Sequence, residues 1–124
     1  MTNKKYFFIG IGGIGMSSIA QYLHERENTI LGYDASENKS IKILLKRGID
    51  VINKLSLENI PDYMKKDDVI VVYTPAIPDD NIFLKYFRKN GNNQIYKRSE
   101  ILGEISKQSK CIAVAGTHGK TTTS

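Results

Sequence analysis

The stretch that decides the fold is Tyr6-Phe7-Phe8-Ile9-Gly10-Ile11-Gly12-Gly13-Ile14-Gly15. Four consecutive apolar residues that stop at a glycine read as a strand buried on both faces, as in a parallel sheet. The glycines satisfy G-x-G-x-x-G directly after that strand, and the apolar positions Ile14, Ile19, Ala20 and Leu23 predict a helix up to about Glu27. Thr29-Ile30-Leu31-Gly32-Tyr33 then reads as a second strand ending on Asp34. Strand, loop, helix and strand fit within 34 residues, the length of one βαβ unit.

The alternation continues outward from that unit. A helix is predicted around Ser40 to Arg47, closed by Gly48, then a short strand at Val51-Ile52 and a polar stretch from Asn53 to Asp68. Val69-Ile70-Val71-Val72-Tyr73 is the most strand-like segment, and Thr74-Pro75 stops it. Asp79-Asp80 are expected to cap a helix through Phe87, followed by a brief strand at Gln94 to Tyr96 and a helix from about Ser99 to Lys107. Cys111-Ile112-Ala113-Val114-Ala115 reads as the last strand. The fold class is therefore α/β, a Rossmann-like parallel sheet with helices on both faces, whose ligand site lies at the carboxyl ends of the strands.

Composition narrows the function classes. The 124 residues are 40% hydrophobic and 25% charged, ordinary values for a folded domain. The net charge of +5 comes from scattered lysines and arginines with no aromatic interleaving, so no nucleic-acid surface is expected. The single cysteine, Cys111, excludes an internal disulfide and fits a reducing compartment. No apolar run approaches the roughly 18 residues of a membrane span, and no signal peptide is seen, so a cytoplasmic protein with no membrane partner is expected.

The first glycine loop has the context its motif requires. Gly10 permits the tight turn, Gly12 lets the backbone approach a pyrophosphate, and Gly15 lets the helix pack closely on the sheet. The helix N-terminus then faces the phosphates. Asp34, nineteen residues after Gly15, stands where such folds place the acid that meets a ribose or base. A nucleotide diphosphate is expected, and NAD fits this motif as well as any other.

A second glycine loop, Gly116-Thr117-His118-Gly119-Lys120-Thr121-Thr122, follows the last predicted strand. It departs from G-x-x-x-x-G-K-[ST] because Val114 stands in place of the first glycine. Gly119 and its neighbouring amides suit a β-phosphate, Lys120 the β/γ oxygens, and the Thr121 hydroxyl a Mg²⁺ ion. Two phosphate loops point to an enzyme that holds one nucleotide as part of its substrate and spends another as its energy source.

In this combination the chain resembles the Mur ligases, ATP-dependent amide-forming enzymes of peptidoglycan synthesis, and within them the alanine-adding branch. The matching segments are Phe8 to Ser17, Gly32-Tyr33-Asp34, Tyr73-Thr74-Pro75-Ala76-Ile77-Pro78, Lys97-Arg98-Ser99-Glu100-Ile101-Leu102 and Ala113 to Thr123. The resemblance implies that residues 1 to 108 bind the UDP part of UDP-N-acetylmuramate, through Gly10, Ile11, Gly12, Gly13, Ile14, Gly15, Asp34, Thr74 and Ala76. It also implies that residues 109 to 124 begin a central ATPase domain, with Gly116 to Thr122 binding ATP, Lys120 catalytic and Thr121 on Mg²⁺. The implied reaction activates a carboxylate as an acyl phosphate for attack by the L-alanine amine. As an N-terminal piece of such an enzyme, the chain is expected to bind the UDP-sugar and not to ligate alone. A peptide-recycling branch shares the second loop, and an NAD-binding regulatory or redox module is the rival class.

Several other residues receive a structural expectation. Ser17-Ser18 are candidates for helix capping or phosphate contact, His24 for the solvent face of its helix, and Cys111 for a small buried hydrophobe. Arg98 is a candidate to reach a ligand, with a solvated arginine ahead of a helix cap as the default reading.

Overall fold

The computed structural model describes residues 3–13 and 15–116, the last nine of these as backbone alone. Five strands form one sheet: β1 (Lys5–Ile9), β2 (Thr29–Tyr33), β3 (Asp50–Ile52), β4 (Val69–Tyr73) and β5 (Gln94–Lys97). Their order is β3-β2-β1-β4-β5 and every pairing is parallel. The chain steps from β1 to β2 to β3 in one direction, then returns to β1's other side for β4 and β5. Strand order therefore reverses between β1 and β4, where an open α/β sheet leaves a crevice at its carboxyl edge.

Burial explains why these runs are strands. All five residues of β4 and the last four of β1 are buried, as befits central strands covered on both faces. Tyr6 and Phe8 pack on one face with Ile19, Leu23, Ile41, Leu44 and Ile101. Phe7 and Ile9 pack on the other with Ile60, Met64, Phe83, Leu84 and Phe87. Successive side chains alternate across the sheet, so one strand feeds two cores.

The helices are α1 (Met16–Glu25), α2 (Lys39–Lys46), α3 (Ile82–Asn90) and α4 (Arg98–Gly116). Helices α1, α2 and α4 cover the first face and α3 the second, as right-handed crossovers require when the direction of travel reverses. The predicted polar stretch between β3 and β4 contains two single-turn 3₁₀ helices, Leu57–Asn59 and Asp62–Met64.

Three expectations are corrected. The cap of α3 is Asn81, whose buried side-chain oxygen accepts from Phe83 N–H at 3.0 Å and Leu84 N–H at 3.2 Å. Asp79 and Asp80 lie in the preceding turn, and Asp79 forms an exposed pair with Arg88 at 3.5 Å. The N-cap of α1 is Gly15, with no side-chain cap bond, rather than a serine. Residues 111–115, expected as a strand, continue α4 as helical backbone. A strand needs a neighbour's ladder, whereas a helix closes its hydrogen bonds within its own segment, and the alanines of this run favour it.

Candidate functional site

The three central strands end level. Ile9 pairs with Tyr33 on one side and Tyr73 on the other, so Gly10, Asp34 and Thr74 leave the sheet along one rim. Just above it lies a crevice of about 520 Å³ lined by Gly10, Gly13, Tyr33, Asp34, Leu55, Thr74, Ala76, Ile77 and Asn81 among others. The expected residues Gly10, Gly13, Asp34, Thr74 and Ala76 thus meet at one place.

The glycine loop is tied down by backbone bonds. Gly10 N–H and Ile11 N–H both donate to the Tyr33 carbonyl, at 2.8 and 3.0 Å, and Gly13 N–H donates to the Gly10 carbonyl at 3.0 Å. Gly12 N–H donates to Asp34 Oδ2 at 2.8 Å, and the other carboxylate oxygen accepts from Ser36 N–H at 2.8 Å. Asp34 therefore braces the loop from the end of β2. A Cβ on Gly12 would stand 2.7 Å from Ile41 Cδ1 and 2.9 Å from Asp34 Oδ2. The close approach that demands glycine here is to the protein's own Ile41 side chain and Asp34 carboxylate.

Three expected residues fall outside the crevice lining: Gly12, whose N–H is taken by Asp34, and Ile11 and Gly15. The Ile11 side chain is fully buried in the core and packs on Gly32, away from the crevice. Gly15 sits at φ +80°, a left-handed conformation that suits glycine, and its missing Cβ leaves room for the Arg98 guanidinium rather than for the sheet. Ile14 and the second-loop residues Thr117, His118, Gly119, Lys120, Thr121 and Thr122 lie outside the described residues, and Gly116 is the last residue of α4.

Tyr33 forms part of the crevice wall, its ring packed edge-on against Phe83 at 5.3 Å. Burial, and after it the neighbouring Asp34 charge, pushes its hydroxyl pKa up, so it stays a neutral hydrogen-bonding group. Leu55 and Asn81 are the crevice residues that the sequence did not single out for the site, while Arg98, weighed there as a ligand contact, rests on Gly15 outside the crevice lining. Leu55 comes from a polar stretch without periodicity, whereas the position of Arg98 directly after β5 was a readable signal, since every strand end faces the same rim.

Chemically, the rim offers an aromatic and aliphatic slot for a flat ring, a braced glycine loop and the N-terminus of α1 for an anionic group. Among the described residues no cluster of three His, Cys, Asp or Glu is placed to hold a metal ion, and no helix is long and apolar enough to cross a membrane.

Known proteins resemble this chain in sequence and fold. Residues 5–110 match the family model described as Mur ligase family, catalytic domain. The chain is 49% identical over 122 residues to the UDP-N-acetylmuramate–L-alanine ligase of Porphyromonas gingivalis, which covers 98% of this chain and 26% of that protein. It is 46% identical to the ligase of the same name from Cytophaga hutchinsonii, over 95% of this chain and 25% of that one. The solved structure of the UDP-N-acetylmuramate-alanine ligase of Thermotoga maritima superposes with a TM-score of 0.75 at 32% identity, over 86% of this chain and 23% of that chain. The chain spans about a quarter of the length of the relatives it matches.

Proposed function

From the premise that this chain belongs to the Mur ligase family, we propose that its crevice receives the uridine diphosphate part of UDP-N-acetylmuramate. In this reading, residues 1 to about 108 are the substrate-binding domain of an ATP-dependent ligase that joins L-alanine to that sugar in peptidoglycan synthesis. The observation that carries it is the meeting of a ring-sized slot, walled by Tyr33, Leu55 and Ile77, with the glycine loop at the point where strand order reverses. The uridine occupies the slot near Asp34, Thr74 and Ala76 line it, and the diphosphate lies along the loop toward the start of α1.

What these residues do is hold and orient. The loop's rigid backbone, tied at Tyr33 and Asp34, fixes the diphosphate without reorganisation on binding. The sugar is then presented beyond the rim with its carboxylate free to react. ATP supplies the activation of that carboxylate, with Gly116 to Thr122 as the residues to hold it, Lys120 at its phosphate oxygens and Thr121 on Mg²⁺. Residues 109–124 belong in this reading to the start of the ATP-using domain. Substrates of this kind place the protein in the cytoplasm.

An NAD-binding module is the competing reading. A dinucleotide loop offers its second glycine's N–H to the pyrophosphate and its strand-end acid to the ribose, and here those two groups are bonded to each other. Calorimetric titration of the chain with UDP-N-acetylmuramate, UDP, uridine, NAD and NADP tests the choice. Binding of the uridine diphosphates without NAD is expected, and binding of NAD alone would overturn the proposal.

A further inference from the structure

We propose a second binding site at the amino edge of the sheet, a cavity built around Tyr6 that takes a neutral, ring-sized carboxamide. It lies at the opposite end of the strands from the crevice and does not depend on the nucleotide reading. Strand register sets its frame. Tyr6 of β1 pairs with Ile70 of β4, and Ile70 with Gln94 of β5, so three side chains stand in one row across the sheet near the strand starts. Tyr96 lies two residues beyond Gln94 and therefore projects from the same face. Over this row α4 brings Ile101 and Glu104, three residues apart and so on one side of that helix.

Helix and sheet do not close on each other here. A cavity of about 170 Å³ remains, lined by these six residues, with the exposed Lys4 at its mouth. A cavity of about 150 Å³ accepts a benzene ring, so the space is large enough for one six-membered ring.

The lining sets the chemistry of the occupant. The Tyr6 side chain is fully buried, and its hydroxyl has no hydrogen-bond partner among the described residues. Buried polar groups are nearly always hydrogen-bonded, so a lone hydroxyl at a cavity wall marks a place for a polar atom. Burial pushes its pKa up to about 12, so at neutral pH the group is a proton donor that calls for an acceptor. Glu104, half-buried on the covering helix, is an acceptor whose pair with Lys107 at 3.5 Å is a weak surface one. Ile70 and Ile101 supply apolar wall, and Tyr96 an aromatic one. A primary carboxamide on a ring suits all three: its carbonyl accepts from the Tyr6 O–H, its N–H donates to Glu104, and the ring packs on the isoleucines. A carboxylate in its place would meet the Glu104 charge, and an ammonium would leave the Tyr6 donor without an acceptor.

The test is titration of the isotope-labelled chain with benzamide and with toluene, followed by amide chemical shifts. Benzamide is expected to give saturable shifts at millimolar concentration, centred on Tyr6, Gln94, Tyr96 and Ile101. Tyr6→Phe should weaken benzamide about fivefold and leave toluene unchanged or tighter. Glu104→Leu, at a half-buried position, should also weaken benzamide and not toluene. Benzamide that shifts only crevice residues such as Gly13 and Asp34, an affinity that neither variant changes, or no saturable shift because the cavity holds water alone, would overturn the proposal. None of these outcomes turns on whether the crevice binds UDP.

Discussion

The carboxylate of Asp34 accepts a hydrogen bond from the backbone N–H of Gly12 at 2.8 Å, joining the end of β2 to the glycine loop after β1. Its second oxygen holds Ser36 N–H. One side chain therefore fixes the loop and the start of the next connection together. Replacing Asp34 with Ala leaves two backbone donors without their acceptor, at a cost of about 1–3 kcal/mol. Denaturant unfolding should show that loss, and UDP affinity should fall with it because the loop is no longer held. Asp34→Asn keeps one acceptor and should fall between.

Gly32 lies in the middle of the sheet beneath the loop. A Cβ there would stand 2.6 Å from Ile11 Cβ and 2.9 Å from Ile11 Cγ1. These are the branch-point Cβ of a fully buried side chain and the methylene next to it, which cannot swing aside. Gly32→Ala should cost about 1–3 kcal/mol through overpacking. The measurement is the denaturant midpoint, and an unchanged value would show that Ile11 can repack.

Asn81 does two things at once, capping α3 and lining the crevice. Asn81→Ala should destabilise by about 0.5–2 kcal/mol, the range for lost N-caps. Asn81→Asp, which keeps an oxygen to accept from both Phe83 N–H and Leu84 N–H, should restore stability while placing a negative charge in the crevice. Under the proposed function Asn81→Asp should therefore unfold like the unaltered protein yet bind UDP more weakly.

Tyr6 is fully buried and its hydroxyl has no hydrogen-bond partner among the described residues. Burial, with a smaller contribution from Tyr96, raises its pKa from 10.0 to about 12. The folded state thus holds the proton more tightly than the unfolded chain does. The resulting stability is fully present below pH 10, and it is lost as pH rises from 10 toward about 12. Tyr6→Phe should be neutral or stabilising at pH 7, because it removes a buried group that makes no bond. It should also make the alkaline fall in stability shallower. Thermal melts of both proteins at pH 7 and across the alkaline range measure both effects.

Much of the fold was legible because central parallel strands are continuous apolar runs and their ends are marked by glycine, Asp34 or Thr74-Pro75. The same logic brought Gly10, Gly13, Asp34, Thr74 and Ala76 to one crevice. What was not legible depended on contacts that no local pattern encodes. Asp79, Asp80 and Asn81 are all competent caps, and only the entry angle of α3 selects Asn81. A five-residue apolar run such as Cys111 to Ala115 carries no period that separates strand from helix. Arg98 was visible at a strand end, but the direction in which its side chain turns is set by the space over Gly15. The Gly12 N–H, expected to meet a pyrophosphate, instead donates to Asp34, a bond that spacing alone could not show.

The level register of β1, β2 and β4 bears on how this protein can change over evolutionary time. Each added residue in a strand advances the chain by ~3.3 Å and turns every later side chain to the opposite face. An insertion or deletion within any of the three would raise or lower Gly10, Asp34 or Thr74 against the other two and exchange the two cores. Substitutions that keep the strands apolar leave the rim intact, whereas changes of length do not. Insertions and deletions among relatives should therefore gather in the connection between β3 and β4 and in the turn before β5, and the five-residue strands should align without gaps.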